Sequence, residues 1–187
     1  MGTVPTTPAP VIAVVGPSGV GKDTVMSALC AANPALEKVR RVITRSVEAG
    51  GEDFTAATVE EFAAMAEAGA FALRWQAHGL NYGIPVEIDA QRRRARGVLV
   101  NLSRSVLMQA QNRFGDLIVV SLSAAPDVLA SRLQSRGRER PEAQADRLRR
   151  AALALPDGLS TVHQIDNSGS LGETVQAVVS LLAPESV

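Results

Sequence analysis

One cysteine, Cys30, in 187 residues rules out a disulfide framework and a thiolate metal cluster, and makes a reducing compartment the natural home. Neither charge is in excess: 19 Lys and Arg balance 19 Asp and Glu. A surface that grips nucleic acid through its phosphates needs a basic surplus, so no nucleic-acid partner is expected. The run Arg92-Arg93-Arg94 with Arg96 does not change this, because it falls near an expected helix C-terminus, where cations suit the helix dipole. No apolar run approaches the roughly 20 residues of a membrane-spanning helix. Residues 1–10 are rich in Thr and Pro and lack the basic start and apolar centre of a signal peptide, so they read as a disordered tail on a cytoplasmic protein. Histidine is scarce, at two residues, and His163 sits among strand-forming residues as a structural side chain. The one tryptophan, Trp75, reads first as core. What is abundant is apolar residues, at 46%, enough for one good core with small lids but not for a second full domain.

Against these absences stands Gly16-Pro17-Ser18-Gly19-Val20-Gly21-Lys22-Asp23-Thr24. It follows the apolar run Val11 to Val15 and opens a helical segment, the strand, loop and helix order of a phosphate cradle. The glycines let backbone N–H groups turn inward on a polyphosphate, the helix N-terminus adds its dipole, and Lys22 brings a mobile cation to the outer phosphates. The pattern predicts a nucleoside triphosphate site. It departs in one place: the residue after the lysine is normally Ser or Thr, whose hydroxyl meets Mg²⁺, and here it is Asp23 followed by Thr24. A carboxylate beside phosphates repels them unless a cation lies between. Asp23 and Thr24 are therefore the candidate metal ligands, with Mg²⁺ as a cation that favours hard oxygens. Asp23 could alternatively serve only the first helical turn.

Strand-like and helix-like segments then alternate. Helix is expected over 22–32, closed by Asn33-Pro34, and a short strand over 40–43. Thr58-Val59-Glu60-Glu61 is a capping box that starts a helix to about Glu67. Strands follow at 71–76, 98–102, 117–122 and 162–165, with helices at about 85–95, 104–113, 126–135, 142–155 and 171–182. Asn81-Tyr82-Gly83 reads as a turn and 136–140 as a charged loop. Short buried strands between helices predict a doubly wound α/β domain on a parallel sheet. The expected organisation is one three-layer domain over 11–187, with an acceptor-binding insertion at about 40–90 and a lid at about 135–150.

The loop G-P-S-G-V-G-K-D-T, Ile43-Thr44-Arg45, Asn81-Tyr82-Gly83 and the terminal Asp166-Asn167-Ser168 resemble the guanylate kinase-like group of P-loop kinases, over nearly all of 11–182. Within that group, Trp75, His78-Gly79-Leu80, Val86-Glu87-Ile88-Asp89, Val98-Leu99-Val100-Asn101 and Arg136-Gly137-Arg138-Glu139 are most similar to ribose 1,5-bisphosphate phosphokinases of phosphonate catabolism. The resemblance implies a P-loop NTPase fold, ATP and Mg²⁺ as cofactors, and ribose 1,5-bisphosphate as small-molecule substrate, converted to 5-phosphoribosyl 1-diphosphate; a homodimer is compatible with it. A guanylate-type nucleoside monophosphate kinase and an inactive binding module remain alternatives. Two departures argue against the first. Gln76 aligns where guanylate kinases carry the Glu that accepts from guanine N–H groups, and Thr44 to Glu52 keeps only the first arginine of the acceptor-phosphate loop. The intact Lys22 and the lid arginines argue against the second.

Roles implied by the resemblance follow the motifs. Gly16, Pro17, Ser18, Gly19, Val20, Gly21 and Lys22 hold the β- and γ-phosphates, and Asn167, beside Asp166, lies where the group wraps adenine. An ordinary Asx turn is the competing reading of that pair. Arg45 and Tyr82 clamp the acceptor phosphate, with Gln76 and His78 nearby. Arg136, Arg138 and Arg147 are lid arginines for the migrating phosphoryl group, or else solvated surface charges. Asn101 stands where many P-loop enzymes place a metal-holding Asp, as though that carboxylate had moved to Asp23.

Overall fold

The computed structural model describes residues 7–46, 52–135 and 154–182. Its centre is β1, Val11–Val15, a strand buried on both faces. Such a strand survives only inside a parallel sheet covered on both sides. It is the middle of five parallel strands in the order β2 (Leu36–Lys38), β7 (Gly97–Asn101), β1, β8 (Leu117–Ser123), β9 (Thr161–Asp166). Register places Val14 beside Asn101 on one flank and beside Val120 on the other.

The pleat divides the core. Ile12, Val14, Leu99, Val120 and Leu122 pack with Val25, Met26 and Leu29 of α1 (Lys22–Ala32), Leu129 of α5 (Pro126–Ser135) and Val178 of α6 (Leu171–Leu182). Val11, Ala13, Val15, Val98, Val100 and Val119 face the other way. They pack on Ile88 of α3 (Ile88–Arg94) and on Leu107, Ala110 and Phe114 of α4 (Leu107–Phe114), which a short 3₁₀ turn at Arg104–Val106 precedes. This is the expected three-layer α/β arrangement.

A second sheet was not anticipated. Its four strands run in the order β4 (Phe54–Ala56), β3 (Arg41–Ile43), β6 (Leu80–Pro85), β5 (Phe71–Ala77), and β6 is antiparallel to both neighbours. Asn81-Tyr82-Gly83, read as a turn, therefore lies within a strand; the turn is His78-Gly79, where both residues have positive φ, 53° and 74°. Paired positive-φ residues match the twist of a two-residue hairpin. α2 (Val59–Glu67) opens on the expected capping box: the Glu61 N–H donates to Thr58 Oγ1 at 3.1 Å and the Thr58 N–H donates to Glu61 Oε2 at 2.8 Å. Ile43, Leu73, Trp75, Tyr82 and Ile84 of the second sheet join the core of the parallel sheet. Among the described residues no helix is long and apolar enough to cross a membrane.

Candidate active site

The phosphate loop spans the C-terminal end of β1 and the N-terminus of α1. Gly16 has φ +149°, and a Cβ there would lie 2.5 Å from the Leu122 carbonyl oxygen, so no other residue fits without moving β8. Gly21 has φ +94° and is the N-cap of α1. Lys22 folds back over the loop and donates to the carbonyl oxygens of Gly16 at 2.9 Å and Pro17 at 3.0 Å. Burial, and then the charge of Arg41, push its ammonium down from 10.5 to about 8, while Glu52 and Asp23 pull the other way. A half-buried lysine short of countercharge is suited to an incoming phosphate. Val20 is buried and Ser18 is exposed.

Asn167 lies behind this loop rather than on an open surface. Its Nδ2 donates to the Val20 carbonyl at 2.7 Å, and its Oδ1 accepts from the Thr174 hydroxyl at 2.6 Å. Asp166 makes an Asx turn, accepting at Oδ1 from the Ser168 N–H at 2.9 Å and the Ser168 hydroxyl at 2.6 Å. Asp23 is half-buried, with Oδ1 4.0 Å from Lys38 Nζ, and Thr24 is exposed. Burial, and next the Glu52 charge, raise the Asp23 carboxyl above its usual range, a condition that a cation would relieve. Among the described residues no three His, Cys, Asp or Glu side chains gather as a metal nest, so a cation held by Asp23 and Thr24 would draw its remaining ligands from phosphate and water.

The second sheet presents its inner face to this loop. Tyr82 and Trp75 are opposite each other in register and stack with centroids 5.3 Å apart and planes at 9°. Trp75 Nε1 donates to the Ser103 hydroxyl at 2.9 Å, beyond the end of β7. Arg45 follows β3; its Nη2 reaches Glu52 Oε1 at 3.4 Å and its guanidinium lies 4.3 Å from the Phe54 ring centre. Thr44 fixes the base of this loop, its hydroxyl accepting from the Asn81 N–H at 2.8 Å.

Arg45 and Tyr82 thus share the inner-face cluster around Glu52 and Arg41. Gln76 does not: strand alternation sends it to the exposed side, opposite Trp75. His78 is exposed at the hairpin tip. Arg136, Arg138, Arg147 and the centre of the acceptor loop, 47–51, lie outside the described residues. Sequence reasoning missed Arg41 and undervalued Glu52. Arg41, on the inner face of β3, donates through Nη1 to the Asn101 carbonyl at 3.1 Å and through Nη2 to Glu52. The signal was available: in Arg41-Val42-Ile43, alternation puts Arg41 on the same face as the buried Ile43, and an inward Arg requires an acid.

No family model matches the chain. Curated relatives do. A protein of Ruegeria sp. (strain TM1040) named ribose 1,5-bisphosphate phosphokinase PhnN is 56% identical over 182 residues, 96% of each chain. Proteins of the same name from Pseudomonas paraeruginosa (strain DSM 24068 / PA7) and Agrobacterium fabrum (strain C58 / ATCC 33970) are 46% and 44% identical, each over 91% of this chain and 94% of its own. The chain belongs to the ribose 1,5-bisphosphate phosphokinase family.

The fold of this family member is also that of more distant kinases. A guanylate kinase from Anaplasma phagocytophilum superposes with a TM-score of 0.68 over 96% of this chain and 87% of its own, at 14% identity. A gluconokinase from Sinorhizobium meliloti 1021 gives 0.53 over 94% and 91%, at 21% identity. The phosphokinase site thus joins a phosphate loop on the parallel sheet to an aromatic and cationic face on the second sheet.

Proposed function

We propose that the protein transfers the γ-phosphoryl group of ATP to the 1-phosphate of ribose 1,5-bisphosphate, releasing ADP and 5-phosphoribosyl 1-diphosphate. An oxygen of the 1-phosphate forms the new P–O bond as the bond from the γ-phosphorus to the β,γ-bridging oxygen breaks, and ADP leaves with that oxygen. The attacking oxygen is already anionic near neutral pH, so no strong general base is required. Positioning, exclusion of water and positive charge are what such a transfer needs.

The observation that carries this reading is whole-chain identity to relatives named for that reaction, 56% over 96% of the sequence. The seam between the two sheets supports it, because Lys22, Arg41 and Arg45 gather there around Glu52. Lys22 and the loop of residues 16–21 take the β- and γ-phosphates, and Arg45 with the Tyr82 hydroxyl takes the acceptor phosphate. Asp23 and Thr24 hold Mg²⁺, which when bound neutralises charge on the triphosphate. Arg136, Arg138 and Arg147 are the proposed lid cations.

The test is ³¹P NMR with Mg-ATP and purified protein, offering ribose 1,5-bisphosphate and GMP in separate tubes. A pair of new diphosphate resonances with the sugar alone is the expected result. GDP formed from GMP, with the sugar untouched, would overturn the reading.

A further inference from the structure

Arg41 is a buried cation that stability alone does not account for. Its residue is 7% exposed, and the cost of removing a guanidinium from water is recovered only when its charge and its N–H groups are all paired. Here the pairing is incomplete. Glu52 takes Nη2, the Asn101 carbonyl takes Nη1, and Nε is buried with no hydrogen-bond partner among the described residues. Glu52 is also shared, because its other oxygen faces Arg45. The guanidinium lies 5.2 Å from the Tyr82 ring centre and 6.0 Å from that of Trp75, so it belongs to the same inner face as the proposed acceptor clamp. Its carbonyl partner, Asn101, is beside Val14, just before the phosphate loop. A strand residue, not a loop, therefore carries this cation to the point where the two sheets meet.

We propose that Arg41 is a second arginine of the acceptor clamp, holding the phosphate that receives the γ-phosphoryl group, with Glu52 fixing its guanidinium beforehand. The inference rests on the acceptor reading above. Each phosphate of a sugar bisphosphate brings about −1.5 to −2 charges at pH 7, more than one loop arginine sharing one carboxylate can offset. A guanidinium only donates hydrogen bonds, so phosphate oxygens complete it. Arg41 thereby supplies charge that Thr44 to Glu52, with its single arginine, does not.

The test compares wild type, Arg41→Met and Arg41→Lys by isothermal titration with ribose 1,5-bisphosphate and separately with Mg-ADP, alongside thermal unfolding. Loss of a charge-assisted clamp should weaken the bisphosphate roughly 10- to 100-fold in Arg41→Met, with Mg-ADP within about twofold of wild type. Arg41→Lys should recover part of the loss, since it restores charge without the planar fork. If Arg41→Met does not fold, Arg41→Lys decides alone, with weakened bisphosphate binding and unaltered Mg-ADP binding expected. Unchanged bisphosphate affinity would overturn the proposal, as would equal losses for both ligands with a lowered unfolding temperature, the mark of a structural role. Wild type that binds the bisphosphate without phosphorylating it would defeat the kinase reading and not the role of Arg41. Wild type that binds none would defeat both.

Discussion

Lys22 shows what the site costs the fold. Its ammonium is pushed from 10.5 down to about 8, chiefly by burial and secondly by Arg41. A folded value below the unfolded one means that the unfolded chain holds the extra proton between about pH 8 and 10.5. Stability therefore rises with pH across that window, and the full cost, roughly 3 kcal/mol, is present below it. Lys22→Met gives up two hydrogen bonds to loop carbonyls but removes a larger penalty. In ligand-free protein with EDTA, its unfolding temperature at pH 7 should rise by roughly 2–6 °C, and the wild type's gain between pH 8 and 10 should flatten. Turnover should fall by roughly 10³-fold, as expected for the loss of a cation from a phosphoryl-transfer site. Thermal unfolding followed by circular dichroism over pH 7–10 checks the first two expectations; a lower unfolding temperature in the variant would mean that the two hydrogen bonds outweigh the burial.

Between elements, the corner that joins β9 to α6 braces the phosphate loop. The Asn167 N–H donates to the Ser123 carbonyl at 2.7 Å, while its side chain links the Val20 carbonyl to the Thr174 hydroxyl. Asn167→Ala leaves that carbonyl and that hydroxyl without this buried partner, at a cost of roughly 1–3 kcal/mol. Because the loosened part is the nucleotide side, KM for ATP should rise about tenfold with KM for the acceptor unmoved. Steady-state kinetics varying each substrate in turn would refute this if both constants rose together. The motif Asp166-Asn167-Ser168 was legible in the sequence, but the inward aim of Asn167 was not, since nothing local requires it. β1 and β8 were legible because a run of apolar residues in each leaves one reading, and α2 because its cap is spelled out. β2 and β4 were not, since three residues carry no periodicity. β6 misleads through Asn81, Gly83 and Pro85, all turn formers. Gly83 is there for packing: a Cβ would lie 2.4 Å from the Phe71 ring. Tertiary pairing overrides propensity at that strand.

At the scale of the molecule, the site is a seam between two sheets, one carrying the triphosphate cradle and the other the acceptor face. Polar contacts between described residues cross it. Trp75 donates to Ser103, Arg41 to Asn101, and the backbone continues from β2 to β3 with the Val39 N–H on the Leu99 carbonyl at 2.9 Å. Two of these three contacts use side chains from the proposed acceptor face, so acceptor binding must act on the joint itself. The chain carries a single tryptophan, and it lies at that joint. Trp75 emission therefore reports on the seam without a label. Titration with ribose 1,5-bisphosphate should change the emission with the midpoint found by calorimetry, because the phosphate sets negative charge beside the Arg41 guanidinium that faces the Trp75–Tyr82 stack. Mg-ADP alone should leave the emission unchanged, since its cradle lies on the parallel sheet and the Trp75 indole faces Ser103. Ser103→Ala should shift the emission before any ligand is added, by removing the acceptor of the indole N–H. An equal response to Mg-ADP would show instead that nucleotide alone rearranges the joint, placing control of the two sheets on the phosphate loop rather than on the acceptor face.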